Sequence, residues 1–271
     1  MISLICPVCS KELELKDKTY SCQNRHSFDI SKEGYVNFLT GGRKSGDLTG
    51  DNAQMASARR AFLEKGYYDF LSDKICDIIL GYNSNPKSIL DISCGEGYYT
   101  NKISQRLECS TAGFDISKAM IRLAAKKYKS SSFFVANMSK IPVKSDSVDV
   151  GVHICAPFCE SEFSRILSND GILLSAVPGK RHLFSLKAAV YDNPYENNED
   201  IADYKSLELI DKISVSDSFN MPIADVKELF SMTPYYYKTR ESDRQRLDAL
   251  DSLEVEFEFI IRVFRQTKKH G

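Results

Sequence analysis

The chain contains no apolar run approaching the roughly 20 residues that a membrane-spanning helix requires. Its first residues, Met-Ile-Ser-Leu-Ile-Cys-Pro, carry no basic region ahead of a long apolar stretch, so neither a helical membrane anchor nor a secretory leader is expected, and the cytosol is the expected location. An excess of charge is missing too. The 36 lysines and arginines face 37 aspartates and glutamates, so no overall field draws the chain to a polyanion, and a nucleic-acid partner would have to be met by a local patch. Disorder is excluded by composition: 42% of the 271 residues are hydrophobic and 27% charged, enough for one large α/β core and a small appendage. The eight cysteines do not form the evenly distributed set of a disulfide framework, since three crowd into the first 22 residues and five scatter through the rest. That pattern points to metal binding and reduced thiols.

The crowded cysteines have a specific arrangement. Cys6-Pro-Val-Cys9, twelve residues, Cys22, three residues and His26 supply three thiolates and one imidazole as two short-spaced pairs, the spacing of a closed tetrahedral zinc site. Leu13, Leu15 and Tyr20 around Asp17-Lys18 read as a β-hairpin joining the pairs. Four protein ligands leave no open position for water, so the predicted zinc is structural and supplies most of the folding free energy of the short segment. No recognition-helix pattern follows the second pair, so the module is not read as a DNA-binding finger and no DNA partner is expected.

The second informative stretch is Ile89 to Thr100, Ile-Leu-Asp-Ile-Ser-Cys-Gly-Glu-Gly-Tyr-Tyr-Thr, which reads as strand, tight loop and helix. Gly95 and Gly97 let the backbone approach a ligand closely. The dinucleotide fingerprint G-x-G-x-x-G/A fits poorly, because Thr100 stands where close helix packing asks for a small residue. Asp91 ends the strand ahead of the glycines, and an acidic group there suits a cationic ligand. Asp91-x-Ser93-x-Gly95-x-Gly97 resembles the D-x-G-x-G-x-G first motif of S-adenosylmethionine-dependent methyltransferases, with Ser93 the only departure. If that position needs a positive φ, serine is strained there by roughly 1–3 kcal/mol.

Around this loop the chain orders itself as an α/β protein. Residues 52–80 show helical spacing broken near Gly66, hence two helices. A helix is predicted over 98–107, strands over 110–115, 133–136 and 148–154, a helix from Glu160, and a strand over 171–177. Strand, helix and long strand follow over 207–215, 223–232 and 253–264. Asp115, at the end of the second strand, is placed for the ribose hydroxyls; Asn137 and Met138, leaving the third, for the adenine. The fourth strand ends in Cys155-Ala-Pro-Phe158 without the Asn or Asp of exocyclic-amine methyltransferases, and Cys155 reads as a buried thiol before a nucleophile. Lys180, Arg181 and His182 stand at the expected rim, the acidic 191–205 segment reads as a cover, and Pro234-Tyr-Tyr-Tyr-Lys-Thr-Arg240 offers aromatic and basic groups for stacking on bases. Between residues 1 and 60, nine basic residues against seven acidic ones are too few to mark an RNA surface by charge.

A family resemblance emerges from several motifs together. Cys-Pro-Val-Cys with Cys-x3-His, Lys32-Glu-Gly-Tyr-Val-Asn37, Arg59-Arg-Ala-Phe-Leu63, Leu90-Asp-Ile-x-Cys-Gly-Glu-Gly-Tyr-Tyr-Thr100 and Pro178-Gly-x-Arg-His-Leu183, spread from Cys6 to about residue 235, are similar to those of bacterial 23S rRNA (guanine-N1-)-methyltransferases. The resemblance implies a Rossmann-like class I methyltransferase sheet over 43–271, with its helical lead-in at 52–80, and a zinc-binding β module over 1–42. It implies S-adenosylmethionine and Zn2+ as cofactors, methyl transfer to guanine N1 in a 23S rRNA hairpin, and a possible homodimer. Within the S-adenosylmethionine site it adds Tyr68 and His182 to Asp91, Gly95, Glu96, Gly97, Tyr98, Asp115, Asn137 and Met138. Two other functions remain open on the residues: an RNA-binding protein that keeps the fold but is catalytically impaired by Ser93, and a zinc-containing methyltransferase of a small molecule.

Overall fold

The computed structural model describes residues 2–40, 53–199 and 203–267. Its N-terminal part is a three-stranded antiparallel sheet of β1 (Glu14–Lys16), β2 (Thr19–Ser21) and β3 (Ser27–Asp29). Leu15 pairs with Tyr20 across the predicted hairpin, and Asp17 takes a left-handed φ of 56° in its turn, a conformation that aspartate tolerates.

The next strand, β4 (Tyr35–Asn37), leaves this small sheet and joins the edge of the large one, parallel to β7 (Ser132–Val135). Phe38 anchors the junction, with its ring 5.2 Å from that of Phe28 in the small module and 5.8 Å from that of Phe134 in the large sheet. A backbone bridge between Leu4 and Val143 ties the module a second time. The division expected at 42/43, within the Gly41 to Gly46 stretch of the sequence, lies outside the described residues.

The large sheet has eight strands in the order β10-β11-β9-β8-β5-β6-β7-β4. Besides β4 and β7 these are β5 (Ile89–Ile92), β6 (Thr111–Asp115), β8 (Val148–Ile154), β9 (Leu167–Pro178), β10 (Leu207–Pro222) and β11 (Ser252–Gln266). The strands from β9 to β4 run parallel, while β11 pairs antiparallel with both β9 and β10. All four residues of β5 are buried, as a central parallel strand covered on both faces requires. Helices α1 (Ala53–Leu63), α2 (Asp69–Tyr82), α3 (Tyr98–Leu107), α4 (Lys118–Lys127), α5 (Glu160–Ile166), α6 (Phe184–Val190) and α7 (Ile223–Ser231) complete the layers. One core sets Phe62, Leu71, Ile75 and Ile79 against Val150, Val152, Ile172 and Ile261. The other gathers Phe114, Phe134, Phe163, Ile166 and Leu173 on the opposite face.

Most predicted elements are present, with α3 spanning the expected residues and Ser117 capping α4 by accepting the Met120 N–H. Strand β10 runs seven residues beyond its expected end at Val215, to Pro222, because β11 pairs with it residue by residue to Ser252. The chain winds outward from β5 to β6 and β7, then returns to place β8 on the other side of β5. Such a reversal opens a crevice at the carboxyl ends of the strands.

Candidate cofactor and acceptor site

That crevice is a cavity of about 1010 Å³. Its wall includes nine of the ten residues that the sequence nominates for the cofactor: Tyr68, Asp91, Gly95, Glu96, Tyr98, Asp115, Asn137, Met138 and His182. Gly97 stands off the wall. Its φ is 85°, and an added Cβ would come 2.9 Å from Ala124 Cβ and 3.0 Å from the Phe133 ring. It therefore starts α3 and lets that helix seat on α4 and β7. Gly95, with φ 55°, has nothing within 4 Å of where a Cβ would be, so a ligand can come up to the backbone there.

Ser93 also takes a left-handed conformation, with φ 62°, and among the described residues its hydroxyl contributes only a long contact of 3.9 Å to the Met138 sulfur. Three left-handed residues in five fold the loop back on itself. The Gly95 N–H donates to Asp115 Oδ2 at 3.0 Å, the Gly97 N–H to the Cys94 carbonyl at 3.0 Å, and the Tyr98 N–H to Glu96 Oε1 at 3.2 Å. The donors that a dinucleotide loop offers to a pyrophosphate are thus satisfied by the protein's own oxygens.

Three acidic side chains converge here instead. Asp91 is 3% exposed and accepts a 2.5 Å hydrogen bond from Thr100 Oγ1. Burial pushes its carboxyl up to about 7, against the Thr100 hydrogen bond and with the Asp115 carboxylate adding to the rise. Glu96, 1% exposed, meets Arg60 Nε at 3.3 Å, and burial raises its carboxyl as well. Asp115 receives the Gly95 and Ser117 N–H groups on its two oxygens. Such a concentration of buried carboxylate repels a pyrophosphate and attracts a cation. Open backbone at Gly95, acidic groups and a nucleoside-sized cavity fit S-adenosylmethionine, whose sulfonium and ammonium are positive.

Asn137 turns its side-chain oxygen to the N–H and hydroxyl of Ser139, capping a short turn at the end of β7. Tyr98 is held by Asp69, to which its phenol donates. Tyr68 and His182 share one wall: the Tyr68 ring lies 5.1 Å from Phe257, and the His182 ring 4.4 Å from Phe259. His182 Nδ1 accepts the Glu258 N–H at 3.3 Å, which leaves the proton on Nε2, and burial pushes its basicity down to about 3. It is a neutral donor across the working pH range.

At the end of β8, Cys155 is exposed in the cavity and is not the buried thiol that the sequence suggests, because its turn faces the crevice; desolvation by the surrounding wall pushes the thiol up to about 12. It is not a nucleophile at neutral pH. Phe158 packs away from the acceptor side, stacked on Tyr204 at 4.5 Å. His153, which the sequence did not single out, is buried under this tip. Its Nε2 donates to the Pro157 carbonyl at 2.9 Å and its Nδ1 lies 3.0 Å from the Ser175 hydroxyl, so a neutral imidazole of fixed tautomer holds the turn. Arg59, quoted above only as part of a motif, also lines the cavity, as do Thr233, Tyr235 and Tyr237 after α7.

In the N-terminal module the Cys6, Cys9 and Cys22 sulfurs and a His26 nitrogen lie within 4.8 Å of one another. Cys9 and Cys22 Sγ are 3.7 Å apart, and His26 Nδ1 is 3.5 Å from Cys6 Sγ and 3.4 Å from Cys22 Sγ. Tetrahedral zinc with ordinary bond lengths spaces such ligands by about 3.5–3.8 Å. The Lys11 N–H helps hold the Cys9 thiol down to about 6, toward the thiolate a metal needs. The donor set fits structural Zn2+.

Comparison with known proteins agrees with both halves. The family described as "RlmA, N-terminal" matches residues 4–46, and that described as "Methyltransferase domain" matches residues 89–171. YxjB of Bacillus subtilis (strain 168), a candidate 23S rRNA (guanine-N(1)-)-methyltransferase, is 36% identical over 203 residues, 70% of this chain and 69% of that protein. The 23S rRNA (guanine(748)-N(1))-methyltransferase of Streptomyces fradiae is 30% identical over 191 residues, covering 69% and 67%. A relative from Micromonospora griseorubida is 30% identical over 203 residues, covering 68% of each. A likeness of this extent, beside the two family matches, makes the chain a member of the 23S rRNA (guanine-N1-)-methyltransferase family.

Proposed function

We propose that the protein transfers the methyl group of S-adenosylmethionine to N1 of a guanine in a hairpin loop of 23S rRNA. Family membership supports the substrate, and the carboxylate-lined cavity over β5 supports the cofactor. The sulfonium supplies an activated methyl group, so the chain's task is to hold the two reactants in line in a space closed to water. Asp91 and the Gly95 backbone face the charged end of the cofactor, Asp115 its ribose, and Asn137 and Met138 its adenine. Tyr68 and His182 close the wall between cofactor and acceptor, while Glu96, Gly97 and Tyr98 keep the loop and α3 in place.

The acceptor enters between the Cys155–Pro157 tip and the Thr233–Tyr237 segment. Guanine N1 lies on the base-pairing edge, so the base has to be unpaired or flipped out before it can reach the cavity. Tyr237, 68% exposed at the mouth, offers an aromatic face to a base adjoining the target, a contact of about 1–3 kcal/mol. The zinc module, fixed to the sheet through Phe38, extends the surface on which the hairpin rests.

Incubation of the purified protein with labelled S-adenosylmethionine and protein-free 23S rRNA tests this reading. Methylated N1 cannot pair, so reverse transcription should stop at one guanine. Label appearing in a small-metabolite fraction, with none in rRNA and no stop, would overturn it.

A further inference from the structure

Lys187, on α6, is 1% exposed and forms no ion pair among the described residues. Its ammonium donates to Asn197 Oδ1 at 2.7 Å and to the Tyr195 carbonyl at 3.2 Å. It lies 4.5 Å from the centre of the Tyr195 ring and 4.9 Å from that of Tyr235. Its direct partners are neutral and the Glu256 carboxylate acts on it only from beyond ion-pair distance, so burying the cation is costly, and ring faces and oxygens offset only part of that cost. A methionine would fill the same space without the penalty. The lysine therefore serves something other than packing.

Asn197 shows what that is. Its Oδ1 also accepts the Tyr235 phenol at 3.2 Å, while its Nδ2 donates to the Gly179 carbonyl at 2.8 Å and the His182 carbonyl at 3.3 Å. The amide's two acceptor sites and two donors are all used. An ammonium can only donate and a carbonyl can only accept, so Lys187 on one side and the Gly179 and His182 carbonyls on the other hold the amide with its oxygen toward α6 and its NH2 toward the 179–182 loop. The Asn197 N–H adds a bond to the Lys180 carbonyl at 2.9 Å. Two of the segments gathered in this way, Tyr235 and the loop bearing His182, form part of the cavity wall.

We propose that Lys187, acting through Asn197, is a positioning residue that holds Tyr235 and the His182 loop in register as the acceptor-side wall for the target guanine. The proposal rests on the rRNA methylation reading above. The two carbonyls still orient the amide without the cation, but the Tyr195 carbonyl and Asn197 Oδ1 lose their tie to α6, so the 195–197 segment slackens under the Tyr235 phenol and the wall shifts by a fraction of an ångström although the core beneath it stays packed.

The test uses the full-length protein, S-adenosylmethionine and protein-free 23S rRNA, with K187M, Y235F and the double variant. K187M should melt within a few degrees of wild type and lose roughly tenfold or more in kcat/KM for RNA. Y235F should lose about threefold, and the double variant no more than K187M alone, because both act through Asn197. Wild-type kcat/KM in K187M, losses that multiply in the double variant, or a loss that merely follows the melting temperature would each overturn the proposal. Should K187M fail to fold, Y235F decides: a threefold loss at unchanged S-adenosylmethionine affinity supports the knot, and an unchanged kcat/KM refutes it. A wild-type protein that labels no rRNA would instead defeat the functional reading itself.

Discussion

Replacing Ser93 by glycine should stabilise this protein, against the usual direction of such a change. Ser93 holds φ 62° at the turn out of β5, where an L-residue pays about 1–2 kcal/mol in Cβ–carbonyl crowding. Among the described residues its hydroxyl makes one hydrogen-bonding contact, 3.9 Å to the Met138 sulfur, too long to repay that. Glycine removes the crowding and gives back about 0.4–1 kcal/mol through the greater freedom of the unfolded chain. The expected net gain is about 0.5–1 kcal/mol, or roughly 2 °C in melting temperature for a domain of this size. Ser93→Ala is the control: it keeps the Cβ, loses only the sulfur contact, and should melt within about half a kcal/mol of wild type. Thermal unfolding followed by circular dichroism ranks the three. Calorimetric titration with S-adenosylmethionine should give S93G an affinity within about twofold of wild type, because the Gly95 and Gly97 bonds that shape the loop are untouched. S93G melting at or below S93A would refute the strain argument, and a tenfold loss of cofactor affinity would show the serine to be a ligand-binding group.

Three further perturbations follow from the site. With the Asp91 carboxyl at about 7 in the fold and near 4 when unfolded, the native state binds more protons between those values, so this group's contribution to stability falls as pH rises from 4 to 7 and is level outside that window. A cationic ligand needs the carboxylate, so affinity for S-adenosylmethionine should rise up to about tenfold per pH unit toward 7 and then flatten; D91N should abolish the slope, and a wild-type affinity constant from pH 5.5 to 8 would refute it. Replacing Arg60 by alanine leaves Glu96, 1% exposed, without its cation and should cost about 3 kcal/mol in denaturant unfolding, a loss under about 1 kcal/mol counting against the pair. Metal analysis should find one zinc per chain, and chelation should release hydrogen-exchange protection over residues 4–30 while β5 and β8 stay protected; protection that survives chelation would show that the module folds without metal.

What could be read in the sequence was local. The Ile89 to Thr100 turn and the two short-spaced ligand pairs each carry their meaning within a few residues, since the geometry they impose is a matter of neighbouring φ angles and side chains. The strand ends are set differently. Ser216 to Pro222, a largely polar stretch beyond the expected strand end, stays in β10 because Ser252 to Glu258 provide an unbroken ladder opposite it, and pairing overrides propensity. Strand β4 is only three residues long and shows no periodicity. Its place at the sheet edge depends on Phe38 meeting Phe134, nearly a hundred residues away.

The same distinction divides the cavity. The wall proposed for the cofactor clusters near the glycine loop in sequence or follows strands whose order the α/β pattern implies, so most of its residues are legible in the sequence. The acceptor wall joins Arg59, the tip after β8, the His182 loop and Tyr235, which nothing in the linear pattern connects. Thr100 shows how a residue can be read correctly for an incomplete reason. Its size argues against a dinucleotide loop, yet its hydroxyl donates to Asp91 and so orients the carboxylate on which a cationic ligand depends. Because the loop's own N–H groups are already bonded to Asp115, Cys94 and Glu96, the same backbone fold that elsewhere cradles phosphate here presents negative charge. The choice of S-adenosylmethionine over a dinucleotide therefore follows from where the loop spends its hydrogen bonds, and Thr100 acts on that choice through Asp91.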